Sequence, residues 1–103
     1  MMQVFEKLVR DRIPEIMENA GERPVIRVLE EAEYLSCLQK KLTEEVEEYL
    51  ESGALEELAD ILEVVSALAA AQGSSAEALH QAAQKKREAR GGFSQRIYLI
   101  GKE

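Results

Sequence analysis

The chain has a single cysteine, Cys37, which excludes an internal disulfide framework and any cysteine-based zinc cluster. It also lacks surplus positive charge, with 13 Lys+Arg against 20 Asp+Glu and a formal net charge of −7. A protein that coats nucleic acid needs excess cations to displace the counterions of the phosphate backbone, so no nucleic-acid partner is expected. The most apolar stretch, Ile61 to Ala71, is interrupted by Glu63, and no basic-then-apolar leader opens the chain. Repeats and low-complexity tracts are missing as well. These absences lead to the expectation of a soluble, cytoplasmic protein with no membrane partner. A chain of 103 residues suits one domain spanning 1–103. So small a domain hides a limited share of its surface, which leads to the expectation of a homo-oligomer, dimer or tetramer.

What is present is segregated charge. From Leu42 to Gln84 there are ten acidic residues and no Lys or Arg; from Lys85 to Glu103 there are six basic residues against two acidic. Lys7, Arg10 and Arg12 cluster near the start. A cation-seeking centre therefore lies between anion-seeking flanks, although acidic helices also occur simply as solvated faces.

The pattern predicts an all-α bundle with a short N-terminal helix, three main helices and a minor β pairing. Asp11 to Ala20 reads as the short helix, with Asp11 as cap, Pro14 in the first turn and Gly21 as stop. Leu35, Leu38, Leu42, Val46 and Tyr49 recur at helical spacing and predict a helix from about Glu31 to Ser52, ended by Gly53. Leu58, Ile61, Val65 and Leu68 mark a second helix from about Ala54 to Gln72, closed by Gly73. Ser74 with Glu77 three residues on reads as a capping box for a third, ending near Arg90 before Gly91-Gly92. The β-branched run 24–29 and the later 95–100 are strand candidates, expected to pair with each other across one end of the bundle.

The direction of each carboxylate matters more than the number. At about 100° per residue, Glu45 falls roughly 65° from the centre of its helix's apolar stripe and Glu48 about 125° away. On the next helix Glu57 and Asp60 repeat those angles, roughly 65° and 125°. Glu44, Glu51, Glu56 and Glu63 point to solvent. With only a short turn at Ser52-Gly53, the two helices should be antiparallel neighbours, so two i, i+3 pairs can bring four carboxylates to one cleft. Carboxylates that close repel and raise one another's pKa; a divalent cation removes that cost, and hard oxygen ligands suit magnesium or manganese. An ion-pair seam with basic residues of the third helix, or of a partner, is the alternative left open by spacing alone.

The run Glu44-Glu45-Val46-Glu47-Glu48 followed by Glu57-Leu58-Ala59-Asp60 resembles the EExxE…ExxD signature of MazG-type all-α nucleoside triphosphate pyrophosphohydrolases. Lys7-Leu-Val-Arg-Asp-Arg-Ile-Pro14 and Arg90-Gly-Gly-Phe93 resemble a small house-cleaning subgroup of that superfamily, so the resemblance runs over nearly the whole chain. It implies a MazG-like helical fold that dimerises or tetramerises and uses Mg2+ (or Mn2+) to split a nucleoside triphosphate between the α and β phosphates. The products would be a nucleoside monophosphate and pyrophosphate. Carried over by position, Glu45, Glu48, Glu57 and Asp60 would be the metal ligands. Two departures stand out: the link between the acidic pairs is shorter than in many MazG proteins, and the tandem second domain of larger members is absent.

Within that chemistry Glu48, or equally Glu45, would accept the proton of the attacking water. Lys86 and Arg90, one turn apart, would hold substrate phosphates beside Gly91-Gly92, although cations in a last turn also simply suit the helix dipole. Lys7, Arg10 and Arg12 are further candidates for phosphate contact, across a subunit boundary if the chain dimerises. Two other readings remain: a phosphoribosyl-ATP pyrophosphohydrolase, and a non-catalytic acidic helical dimer module.

Overall fold

The computed structural model describes residues 1–103 and contains four helices: α1 (Ile13–Asn19), α2 (Glu31–Ser52), α3 (Leu55–Ala71) and α4 (Ala76–Arg90). The all-α expectation is met, and the three long helices fall within a residue or two of the spans read from apolar spacing and glycine stops. Gly53 takes the left-handed conformation at φ 65° that ends α2, its N–H donating to the Tyr49 carbonyl at 2.7 Å. Two caps differ from expectation. Ser75, not Ser74, caps α4, its Oγ accepting from the Ala78 N–H at 3.0 Å. At α1 the cap position is Arg12 rather than Asp11, without a side-chain cap bond; Arg12 instead pairs with Glu15 at 3.1 Å.

The short link at 53–54 turns the chain back on itself, and α2 and α3 pack as an antiparallel hairpin. Leu38, Val64 and Leu68 form its buried centre, with Leu8, Tyr34, Leu35, Leu42 and Ala67 packed around them. Leu38 and Glu45, seven residues apart, are the two buried positions of α2. The stripe that faces α3 is thus turned toward Glu45, and Val46 and Leu58, at the other margin of their stripes, are exposed. α4 touches only α3, and α1 touches no other helix.

The expected pairing of 24–29 with 95–100 does not form; the chain contains no strand. The topology explains why. With α2 and α3 antiparallel, the segment entering α2 lies at the end of the hairpin where α4 begins. α4 then carries the chain about 22 Å away, at 1.5 Å per residue, before the second segment starts.

The result is an open molecule. Its radius of gyration is 18.1 Å, against about 13 Å for a compact domain of this length. It exposes 9633 Å², where a globular monomer of its mass would show about 5,800 Å².

Candidate metal centre on the α2–α3 hairpin

Antiparallel packing brings residue 45 of α2 opposite the first turns of α3. One carboxylate oxygen each from Glu45, Glu57 and Asp60 lies within 4.8 Å of the other two. Glu45 is the only charged residue in the buried set, with 7% of its surface exposed, while Glu57 and Asp60 are half-buried. Its Oε1 sits 3.5 Å from the Lys41 ammonium one turn earlier. Its Oε2 is buried and has no hydrogen-bond partner. Leaving a buried carboxylate oxygen unsatisfied costs desolvation energy, which the 3.5 Å contact of Lys41 with the other oxygen offsets only in part.

The electrostatics follow. Burial pushes the Glu45 pKa up, the negative charges of Glu48 and Asp60 push it further, and Lys41 opposes them. Glu48 is exposed, close enough for its charge to act on Glu45 but outside the trio whose oxygens meet. Three of the four carboxylates expected in one cleft are therefore gathered, with the fourth at its rim.

The flanking cations divide. Arg10 reaches Asp60, its Nη2 donating to Oδ1 at 2.7 Å across fifty residues of sequence. Every other side-chain hydrogen bond joins residues no more than six apart. Lys7 lies over the Phe5 ring at 5.5 Å, and Arg12 is occupied by Glu15; neither is brought to the carboxylates. Lys86 and Arg90 are exposed on α4, and neither forms an ion pair with any of the three carboxylates. Lys41 was not among the residues singled out from the sequence, although its i, i+4 spacing to Glu45 was there to be read.

The trio fits a hard divalent cation. All its donors are carboxylate oxygens, and the orphaned Oε2 of Glu45 is an acceptor awaiting a positive partner. No family model and no solved structure matches the chain. An uncharacterized protein of Mycolicibacterium smegmatis is 55% identical over 42 residues, a stretch that spans 41% of this chain and 43% of the relative's length. No helix is long and apolar enough to cross a membrane.

Proposed function

We propose that the chain is a Mg2+-dependent pyrophosphohydrolase that cleaves a nucleoside triphosphate between the α and β phosphates. The observation that carries this reading is the buried, unpartnered Oε2 of Glu45 beside Glu57 and Asp60. Only four residues are buried, and one of them is this carboxylate, whose Oε2 the Lys41 contact leaves without a partner. The MazG-like motifs on the same two helices supply the chemical class. Glu45, Glu57 and Asp60 would hold the ion (Mn2+ being the other candidate), with Glu48 completing the set from the rim. When bound, the ion would neutralise phosphate charge and acidify a water ligand.

The chain's own residues have separable tasks. Glu48, exposed and outside the trio, would accept a proton from water, with Glu45 the other candidate for that role. Arg10, already at the edge of the cluster, would turn to a substrate phosphate once Asp60 is engaged, and Lys7 and Arg12 would add to the positive field. Lys86 and Arg90 would hold the leaving pyrophosphate only when supplied by a second copy, because α4 stays clear of α2 within one chain. The reading thus includes a homo-oligomer, dimer or tetramer, working in the cytoplasm.

One observation favours the non-catalytic module: Arg10 and Lys41 already lie against two of the three carboxylates, as an ion-pair seam would have it. Pyrophosphate release from standard, oxidised and deaminated nucleotides and from phosphoribosyl-ATP, with and without Mg2+, separates the readings. The proposal expects Mg2+-dependent release that is lost in Glu57→Gln. Release that survives Glu57→Gln, or none from any substrate, overturns it; preference for phosphoribosyl-ATP selects the narrower enzyme.

A further inference from the structure

We propose that the two unpaired segments 24–29 and 97–100 are reciprocal β arms that join two copies of this chain. Segment 24–29 of each copy pairs antiparallel with 97–100 of the other. The inference names a surface for the homo-oligomer included in the reading above, and it can hold or fail whether or not the chain hydrolyses nucleotides.

Both segments are built as strands and are not used as strands. Val25, Ile26 and Val28 on one, and Ile97, Tyr98, Leu99 and Ile100 on the other, are exposed, the second set by 81–96%. No backbone N–H in either segment donates to a backbone carbonyl. Apolar, β-branched stretches with free backbone donors and acceptors are templates for pairing with another chain. A turn aims the second arm: the Arg96 N–H donates to the Phe93 carbonyl at 3.1 Å, and Arg96 takes φ 59°, a left-handed conformation that side chains seldom adopt. The chain thereby leaves α4 in a new direction and does not run on along its axis.

The occupant is a second copy for three reasons. The first is topological. One segment lies at the end of the hairpin where α4 starts and the other follows α4, a helix about 22 Å long, and within one chain the two are not paired. A two-fold axis that sets two copies head to tail brings unlike ends together, and does so twice.

The second reason is area. The surplus of about 3,800 Å² over a globular monomer exceeds the roughly 800 Å² that one chain contributes to a standard interface and the roughly 1,000–2,500 Å² it contributes to an obligate one, so surface for a dimer is present in excess.

The third reason is charge. Antiparallel pairing that sets Val28 opposite Tyr98 also sets Glu30 opposite Arg96 and Arg23 opposite Glu103. Parallel pairing with Val28 still opposite Tyr98 sets Arg23 opposite Phe93 and Ile26 opposite Arg96, and forms neither charge pair. The favoured register thus gains two pairs of opposite charge, and a β-branched residue faces an aromatic one.

The test uses the full chain in three measurements. Sedimentation is expected to show a dimer at micromolar concentration. Hydrogen exchange is expected to show protected amides at 25–29 and 97–100, with protection fading on dilution toward the monomer. Glu30→Lys and Arg96→Glu are each expected to weaken the dimer about fivefold, and the double variant to restore it.

A monomer with both segments unprotected overturns the proposal and leaves the arms for a different protein. Protection that does not change on dilution of a monomer overturns it in favour of pairing within the chain. A dimer whose arms exchange freely, or whose double variant is weaker than either single, also overturns it. Should the charge variants reduce helix content, disulfide capture decides: Val28→Cys mixed with Tyr98→Cys, both in a Cys37→Ser background, is expected to give a mixed dimer. Failure of that cross-link counts against the arms.

Discussion

The α2–α3 hairpin and the rest of the molecule obey different rules. The hairpin holds all four buried residues and most of the molecule's tertiary packing, and it receives the chain's only long-range side-chain hydrogen bond. Outside it, α1 touches no helix, α4 leans on α3 alone, and the two β-branched segments have no partner. The hairpin spends a position of its scarce interior on a carboxylate, while leucines and isoleucines elsewhere stand in water. Of the four buried positions, three serve the apolar core and the fourth belongs to the carboxylate cluster. A single copy is therefore a small packed hairpin with open surroundings, and the proposed arms would complete it with a second copy.

That contrast can be broken most sharply at the core. Leu68→Ala removes one of three buried apolar side chains and is expected to lower unfolding free energy by about 3 kcal/mol in urea titration. Leu99→Ala, measured at a dilution where the chain is monomeric, is expected to change it by less than about 0.5 kcal/mol. Equal losses would erase the distinction between frame and arms.

Next in size, Glu57→Gln is expected to weaken Mg2+ binding about 100-fold by calorimetry, with unchanged helix content by circular dichroism. A variant that binds normally would place the cation elsewhere.

A smaller effect concerns pH without metal. The Glu45 pKa is raised by burial and by Glu48, so the folded chain holds this proton over a range where the unfolded chain has released it. Stability should fall as pH rises above the ordinary carboxylate value near 4.5, and return on acidification toward it. Glu33, held low by Arg27, acts in the opposite sense below that value, so the two contributions occupy separate pH windows. Thermal melts from pH 4.5 to neutral are expected to show the upper slope in the native chain, to lose it in Glu45→Gln, and to lose it in saturating Mg2+.

The smallest effect is at the tether. Arg10→Ala breaks an exposed pair and should cost no more than about 1 kcal/mol of stability. Mg2+ affinity should rise two- to threefold, about 0.5 kcal/mol, because a competing cation leaves Asp60. Arg12→Ala, with the same charge change and no contact with the cluster, is the control expected to leave affinity nearly unchanged.

What could be read from sequence was what depends on local spacing. Gly53 and Gly73 stop helices wherever the rest of the chain goes, and Glu45 at about 65° from its stripe was bound to lie near the hairpin seam. The α4 cap was missed by one position because Ser74 and Ser75 have the same chemistry and only the path of the turn chooses between them. The pairing of 24–29 with 95–100 failed because strand propensity says nothing about which end of a hairpin a segment occupies. Arg10 was noticed for its charge, but its bond to Asp60 depends on how the first dozen residues cross α3, which no periodicity encodes. Lys86 and Arg90 stayed apart from the carboxylates for a related reason: the direction of α4 is set by its contact with α3, not by the charges at its end.

With only Gly53 and Ala54 between α2 and α3, the hairpin works like a vernier scale that has a single setting. One residue inserted after Leu55 would advance every later side chain of α3 by about 100° and 1.5 Å. Both helices would survive, with the same acidic composition and nearly the same hydrophobicity. The oxygens of Glu57 and Asp60 would no longer register with Glu45. The shortness of this linker is what gathers carboxylates from two helices, which the sequence merely contains, into one cluster.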